Sequence, residues 1–107
     1  DHGSSLIELG AFTVPVQQPH HVTYFVTRVV VGFSDAQAAQ YYAEADRLVR
    51  LRHIVFEAVF DIRPDAVTGE LRIDMLQTRI ERQLSTRLRD LTVVQLQMLG
   101  VHDVPRH

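Results

Sequence analysis

The hydrophobic and polar positions of this chain predict two strands, then helices, then a closing strand. Residues 6–17 (LIELGAFTVPVQ) have a short-period pattern rich in β-forming residues, which is typical of a strand. Pro15 cannot donate a hydrogen bond to a neighbouring strand, so this segment is predicted to be an edge strand. Residues 22–33 (VTYFVTRVVVGF) form the clearest strand of the chain, and both of its faces are largely apolar. This pattern predicts a strand that is covered on both sides.

Helical periodicity begins after the second strand and continues to about Ile62. Ser34 and Gln37 match the spacing of a capping box, so Ser34 is predicted to cap the helix. The first apolar stripe of this helix consists of Tyr41, Ala45, Leu48, Leu51, Val55, Ala58 and Ile62. A second apolar row, on a different side, consists of Val49, Phe56 and Phe60. The second row is covered either inside the monomer or by a neighbouring subunit, and the sequence leaves both options open.

Residues 63–65 (RPD) are predicted to end this helix, because proline lacks an amide hydrogen and disfavours helical backbone before it. A second helix is predicted from about Gly69 to about Arg89, and residues 91–101 (LTVVQLQMLGV) are predicted to form a closing strand. The order strand-strand-helix-helix-strand predicts a small α+β domain in which two helices pack on one face of a mixed sheet.

Composition places this pattern in one domain, since 107 residues are too few for two cores. The domain is expected to span residues 6–101, and residues 102–107 are predicted to be a short polar tail. The chain begins with Asp1 rather than Met, so residues 1–5 are interpreted as a tag or linker remnant. The charge and the cysteine count exclude some classes of function. A formal net charge of -2 does not favour nucleic acid as a partner. The absence of cysteine excludes disulfides and thiolate chemistry.

Histidine offers the main candidate chemistry, with six residues in the chain. A helical zinc site needs ligands three or four residues apart, and no H-x-x-x-H pair is present. The chain also lacks a G-x-S-x-G elbow, a P-loop and a G-x-G-x-x-G loop. The prediction is therefore a non-enzyme with no cofactor and no metal. The alternative is a small ligand- or metal-binding domain in which at least two of four histidines converge: His20, His21, His53 and His102.

Several segments resemble a known family in their order along the chain. The segments are the strand VTYFVTRVVVGF, the helix opening SDAQ, the run RLVRLRHIVFEAVFDI, the helix GELRIDMLQTRIERQLSTRL and the strand LTVVQLQMLGV. In this order they are similar to the extracytoplasmic domain of the FliL family of flagellar basal-body-associated proteins. The resemblance covers about residues 6–101. Two positions depart from the family pattern, because residues 14–16 (VPV) replace an Asn-Leu pair and Arg52-His53 replaces Arg-Asp. The closing strand also lacks the family's Phe-Thr pair.

The resemblance implies a domain of the stomatin and prohibitin type. It implies a periplasmic domain of a single-pass bacterial inner-membrane protein, whose anchor would lie upstream of Asp1. Such a domain would assemble with copies of itself into a ring or oligomer and contact the stator units that support motility. The alternative under the same placement is a periplasmic domain that binds a ligand or metal through its histidines.

The residues predicted to make the protein contact lie on the long helix. They are Val49, Arg52, His53, Phe56 and Phe60.

Overall fold

The structure is a computed structural model that describes residues 5–60 and 73–105. Its elements are β1 (Leu6–Gln17), β2 (His21–Phe33), α1 (Ala36–Ala43), α2 (Ala45–Phe60), α3 (Ile73–Ser85) and β3 (Leu91–Pro105). The predicted α+β class is confirmed. Within the described residues the element order contains three helices, where two were predicted.

The sheet has the strand order β1-β2-β3, and both strand pairs are antiparallel. The prediction of a mixed sheet was therefore wrong. A tight turn reverses the chain between β1 and β2, where the Gln18 amide donates to the His21 carbonyl at 2.9 Å. β3 returns along the free edge of β2. The direction of β3 depends on where the helices before it end, and a local apolar pattern does not predict where they end.

The edge strand β1 buries alternate residues against the helices, as its sequence pattern predicted. The pairing register shifts between Glu8 and Gly10, and Gly10 has a φ of 91°. A bulge of this kind inserts one residue, so the buried positions move from Ile7 and Leu9 to Phe12 and beyond. The bulge therefore keeps the apolar side chains of the whole strand on one face.

Within the described residues, the helices cover one face of the central strand β2 rather than both, which corrects the prediction. Val29, Val31 and Phe33 are buried on the helix side, whereas Tyr24 and Val26 on the other side are half-buried. The outer face also carries Arg28, whose Nε donates a hydrogen bond to the Glu8 carboxylate. That hydrogen bond, together with the charge of the carboxylate, raises the pKa of Arg28.

The helical region after β2 is divided at Glu44, so the prediction of one continuous helix was wrong. Glu44 has an extended backbone with φ −64° and ψ 146°, and α2 begins at the next residue. Arg47 stabilises this break, because its Nε donates to the Tyr41 carbonyl at 2.6 Å and its Nη2 lies 2.6 Å from the Glu44 carboxylate. Apolar spacing does not mark the break, because the first stripe keeps its period across it. Ile62, the predicted helix end, lies outside the described residues.

Asp35 rather than Ser34 caps α1, which corrects the predicted capping box. The Asp35 carboxylate accepts a hydrogen bond from the Ala38 amide at 2.8 Å. The backbone of Asp35 is extended, with φ −152° and ψ 170°, as a capping residue requires. The Ser34 amide donates instead to the Asp90 carbonyl at 2.8 Å, which joins this turn to the start of β3.

The C-terminal elements differ from their predicted bounds. α3 ends at Ser85 rather than near Arg89, and Asp90, with φ 55°, turns the chain into β3. β3 continues to Pro105, so residues 102–105 form part of the sheet where a polar tail was expected. The predicted helix start near Gly69 and the predicted break at residues 63–65 lie outside the described residues.

The core lies between the sheet and the two longer helices. α2 packs against β1, α3 packs against β3, and the two helices pack against each other. The Arg79 Nε donates to the Ala58 carbonyl at 2.7 Å and joins the helices directly. The helical residues that are buried in this core are Leu51, Ile54, Val55, Ala58, Val59, Leu76, Ile80 and Leu84. This packing determines which face of α2 points outward.

Candidate functional site

The five residues predicted to make a protein contact are all exposed on α2. The exposed fractions are 66% for Val49, 49% for Phe56 and 65% for Phe60. Arg52 and His53 are exposed as well. The second apolar row of the sequence is therefore not covered by the described part of the monomer.

Helix geometry explains why this row is left outside. At about 100° per residue, Val49, Phe56 and Phe60 fall within about 20° of one line along α2. The buried residues of the same helix are centred on the opposite side of its axis, against β1 and α3. One sheet surface cannot cover two opposite faces of a helix. We refer to Val49, Phe56 and Phe60 as the α2 stripe.

The two phenylalanines of the α2 stripe form a continuous apolar surface. Their ring centroids are 5.7 Å apart, and the ring planes are tilted by 39°. Single exposed apolar residues are ordinary on soluble proteins, whereas adjoining large ones are characteristic of interaction surfaces. The pair is thus the most informative part of the predicted site.

Polar residues on both sides of the α2 stripe are already engaged within the chain. On one side, the guanidinium carbon of Arg52 lies 5.1 Å from the centroid of the Phe12 ring, which directs this side chain towards β1. On the other side, the His53 Nε2 lies 2.6 Å from the Glu57 carboxylate one turn further along α2. Of the five predicted residues, Val49, His53, Phe56 and Phe60 share the outward face, and Arg52 leans away from it.

A second exposed apolar region lies on the edge strand β3. The exposed side chains there are Met98, Leu99, Val101 and Val104. The register with β2 shifts between Val26 and Thr27, where Leu99 is the extra residue of β3. Bulges of this kind interrupt an edge and weaken it as a template for another strand.

A groove beside the α2 stripe was not predicted from the sequence. It has a volume of about 840 Å³ and lies between the α1–α2 corner and the segment that joins α3 to β3. The polar and aromatic residues that line it are Tyr41, Tyr42, Asp46, Arg47, Arg50, His53 and Arg87. The spacing of Arg47 and Arg50 on α2 was a local signal for it. The approach of Arg87 was not, because it depends on how α3 packs.

The structure places His21 and His102 on different strands of the sheet and His53 on α2. His21 pairs with Pro105 and His102 pairs with Tyr24, so their side chains leave opposite faces of the sheet. His21 lies 3.6 Å from the Asp103 carboxylate, which also accepts a hydrogen bond from Thr23 at 2.7 Å. Across residues 5–60 and 73–105, no three side chains of His, Cys, Asp or Glu are grouped as metal ligands would be.

No described helix of this chain is long and apolar enough to cross a membrane. Comparisons with protein-family models, with curated proteins and with solved structures find no match to the chain.

Proposed function

We propose that this domain is a non-catalytic assembly module that binds other proteins, including copies of itself, through the α2 stripe. The observation that supports the proposal is the position of Val49, Phe56 and Phe60 directly opposite the buried face of α2. A helix that only closed a core would need one apolar face. The second face is left uncovered by residues 5–60 and 73–105.

Burying the apolar side chains of the α2 stripe against a partner would contribute favourable free energy. Burying a large apolar side chain contributes about 1.5–3 kcal/mol when it starts fully exposed. Phe56 and Phe60 are 49% and 65% exposed, so each would contribute roughly half of that amount on association. Two copies that meet through the same stripe would each contribute it, as in other two-fold contacts. Because association also costs translational and rotational freedom, the expected result is a weak self-association.

The α2 stripe is a better candidate for self-association than the β3 edge. Strand addition requires a regular row of backbone groups, and the bulge at Leu99 interrupts that row. Side-chain contact through α2 has no such requirement. The β3 residues therefore provide a matched control in the experiment below.

We extend the proposal on the FliL resemblance alone. In this form the chain is a FliL-like periplasmic domain of the flagellar motor, anchored in the inner membrane by a segment upstream of Asp1. It would assemble into a ring or oligomer of the stomatin and prohibitin type and contact the stator proteins. Nucleic acid is not a partner in this proposal.

Sedimentation velocity over a wide protein concentration range tests the assembly proposal. The variants are F56A/F60A, which truncates the α2 stripe, and M98A/L99A, which removes exposed apolar surface from β3. Self-association is expected in the unmodified chain and in M98A/L99A, and is expected to be lost in F56A/F60A. Both variants change exposed side chains, so both are expected to fold.

A membrane-tethered version increases the sensitivity of the test, because tethering raises the effective concentration. The chain is attached through an N-terminal histidine tag to vesicles that carry nickel lipids, and is then chemically cross-linked. Cross-linked oligomers that disappear in F56A/F60A would support the proposal. A chain that stays monomeric both in solution and on the vesicles would contradict it.

A further inference from the structure

The groove beside the α2 stripe has a positive charge that contrasts with the rest of the chain. Arg47, Arg50 and Arg87 line it, and Asp46 is the one acidic residue among its described lining residues. The formal net charge of the whole chain is -2. The positive charge here is therefore local, and it is concentrated where the surface is concave.

Two of these arginines are available to a ligand. Arg47 is occupied, since it contacts Glu44 and its guanidinium carbon lies 3.8 Å from the centroid of the Tyr41 ring. The side chains of Arg50 and Arg87 have no hydrogen bond or ion pair within the described part of the chain. A guanidinium fork matches a carboxylate in shape and charge, so both residues are suited to carboxylate binding.

We propose that this groove binds an acidic segment of a protein partner, whose carboxylates pair with Arg50 and Arg87. His53 lines the groove and also lies on the outward face of α2, so the groove is continuous with the α2 stripe. A peptide that crosses α2 can therefore place apolar side chains on the stripe and carboxylates in the groove. This choice of ligand rests on the proposed function, because the continuity with an apolar protein-binding surface favours a peptide over a small anion.

Titration of the ¹⁵N-labelled chain with a hexaglutamate peptide, followed by amide chemical shifts, tests this inference. Shifts are expected at Tyr41, Tyr42, Arg50 and Arg87, and a hexalysine peptide is expected to cause none there. The R50A/R87A variant is expected to bind hexaglutamate about tenfold more weakly, as two exposed ion pairs would produce.

The matched control is R82A/R89A, which removes the same number of charges from exposed positions outside the groove. It is expected to bind within about twofold of the unmodified chain, as sites away from the contact usually do. An equal loss in both double variants would overturn the inference, because net charge alone would then explain binding. Saturation of the same amides by inorganic phosphate at peptide concentrations would also overturn it, in favour of a small-anion site.

Two further readouts separate this inference from the proposed function. R50A/R87A is expected to self-associate like the unmodified chain, and F56A/F60A is expected to retain hexaglutamate binding. If self-association is absent while R50A/R87A weakens peptide binding, the assembly proposal fails and the acidic-ligand site stands. If hexaglutamate shifts no amide in the groove, the site itself is refuted whatever the oligomeric state.

Discussion

The Arg52 guanidinium lies against the ring of Phe12, with 5.1 Å between its central carbon and the ring centroid. This contact connects the exposed face of α2 to the edge strand β1. It forms beside the bulge at Gly10, where the chain shifts its register. The Arg52 side chain therefore occupies the space that a Cβ at position 10 would need.

We expect G10A to destabilise the fold by about 1–2 kcal/mol, because its φ of 91° is unfavourable for a residue with a Cβ. The added Cβ would also lie 2.9 Å from the Arg52 Nη1. Urea unfolding of G10A, R52A and G10A/R52A separates these two causes. If backbone strain dominates, the penalty persists when Arg52 is truncated. Loss of the penalty in the double variant would show that crowding is the cause.

Capping of α1 gives a second prediction. D35A is expected to cost about 1 kcal/mol of stability, because the Ala38 amide loses its acceptor. S34A leaves that hydrogen bond intact and is expected to change stability by less than about 0.5 kcal/mol. Denaturant midpoints of the two variants make the comparison. A larger loss of stability in S34A than in D35A would contradict this prediction and would favour Ser34 as the capping residue.

The two faces of α2 provide a third prediction. Val55 is fully buried and Val49 is 66% exposed on the same helix. V55A is expected to cost about 2 kcal/mol, since it removes buried methyl groups and leaves a cavity. V49A is expected to be neutral or slightly stabilising in the monomer, because alanine has the higher helix propensity. Thermal unfolding at low protein concentration measures both, and an equal cost would mean that Val49 belongs to the core.

Crowding on the outer face of the sheet gives a fourth prediction. A Cβ at Gly32 would lie 2.5 Å from the Val93 Cγ1 and 3.0 Å from the Leu6 Cδ2. G32A is therefore expected to cost about 1–3 kcal/mol through overpacking. The double variant G32A/V93A is expected to recover part of this loss, because it removes the nearer methyl group. Urea unfolding that shows no recovery would place the strain elsewhere.

The sequence predicted the elements of this fold better than their connections. The alternation in residues 6–17 and the β-rich residues 22–33 were sufficient to predict two strands, because side chains alternate between faces with a period of two. The break at Glu44 was missed because a side chain stabilises it: the Arg47 Nε donates a hydrogen bond to the earlier Tyr41 carbonyl. Side-chain contacts of this kind do not appear in apolar spacing.

For the predicted interaction residues, too, the local pattern was predicted correctly and the tertiary contacts were not. Periodicity alone identified Val49, Phe56 and Phe60 as a row on a different side from the first stripe. It left open whether that row was covered, and the packing of α2 against β1 and α3 decided that it is exposed. The basic groove was not predicted, because Arg50 and Arg87 line the same groove only when the segment after α3 packs beside α2.

By itself the sequence determined the α+β class, the two N-terminal strands and the two apolar faces of α2, because these features follow from local periodicity and propensity. The tertiary structure decided the antiparallel strand order, the extension of β3 to Pro105 and the exposure of the α2 stripe. It also assembled the groove between α2 and the end of α3. These features depend on contacts between residues far apart in the chain, and the free energy of such contacts is set by packing rather than by local pattern.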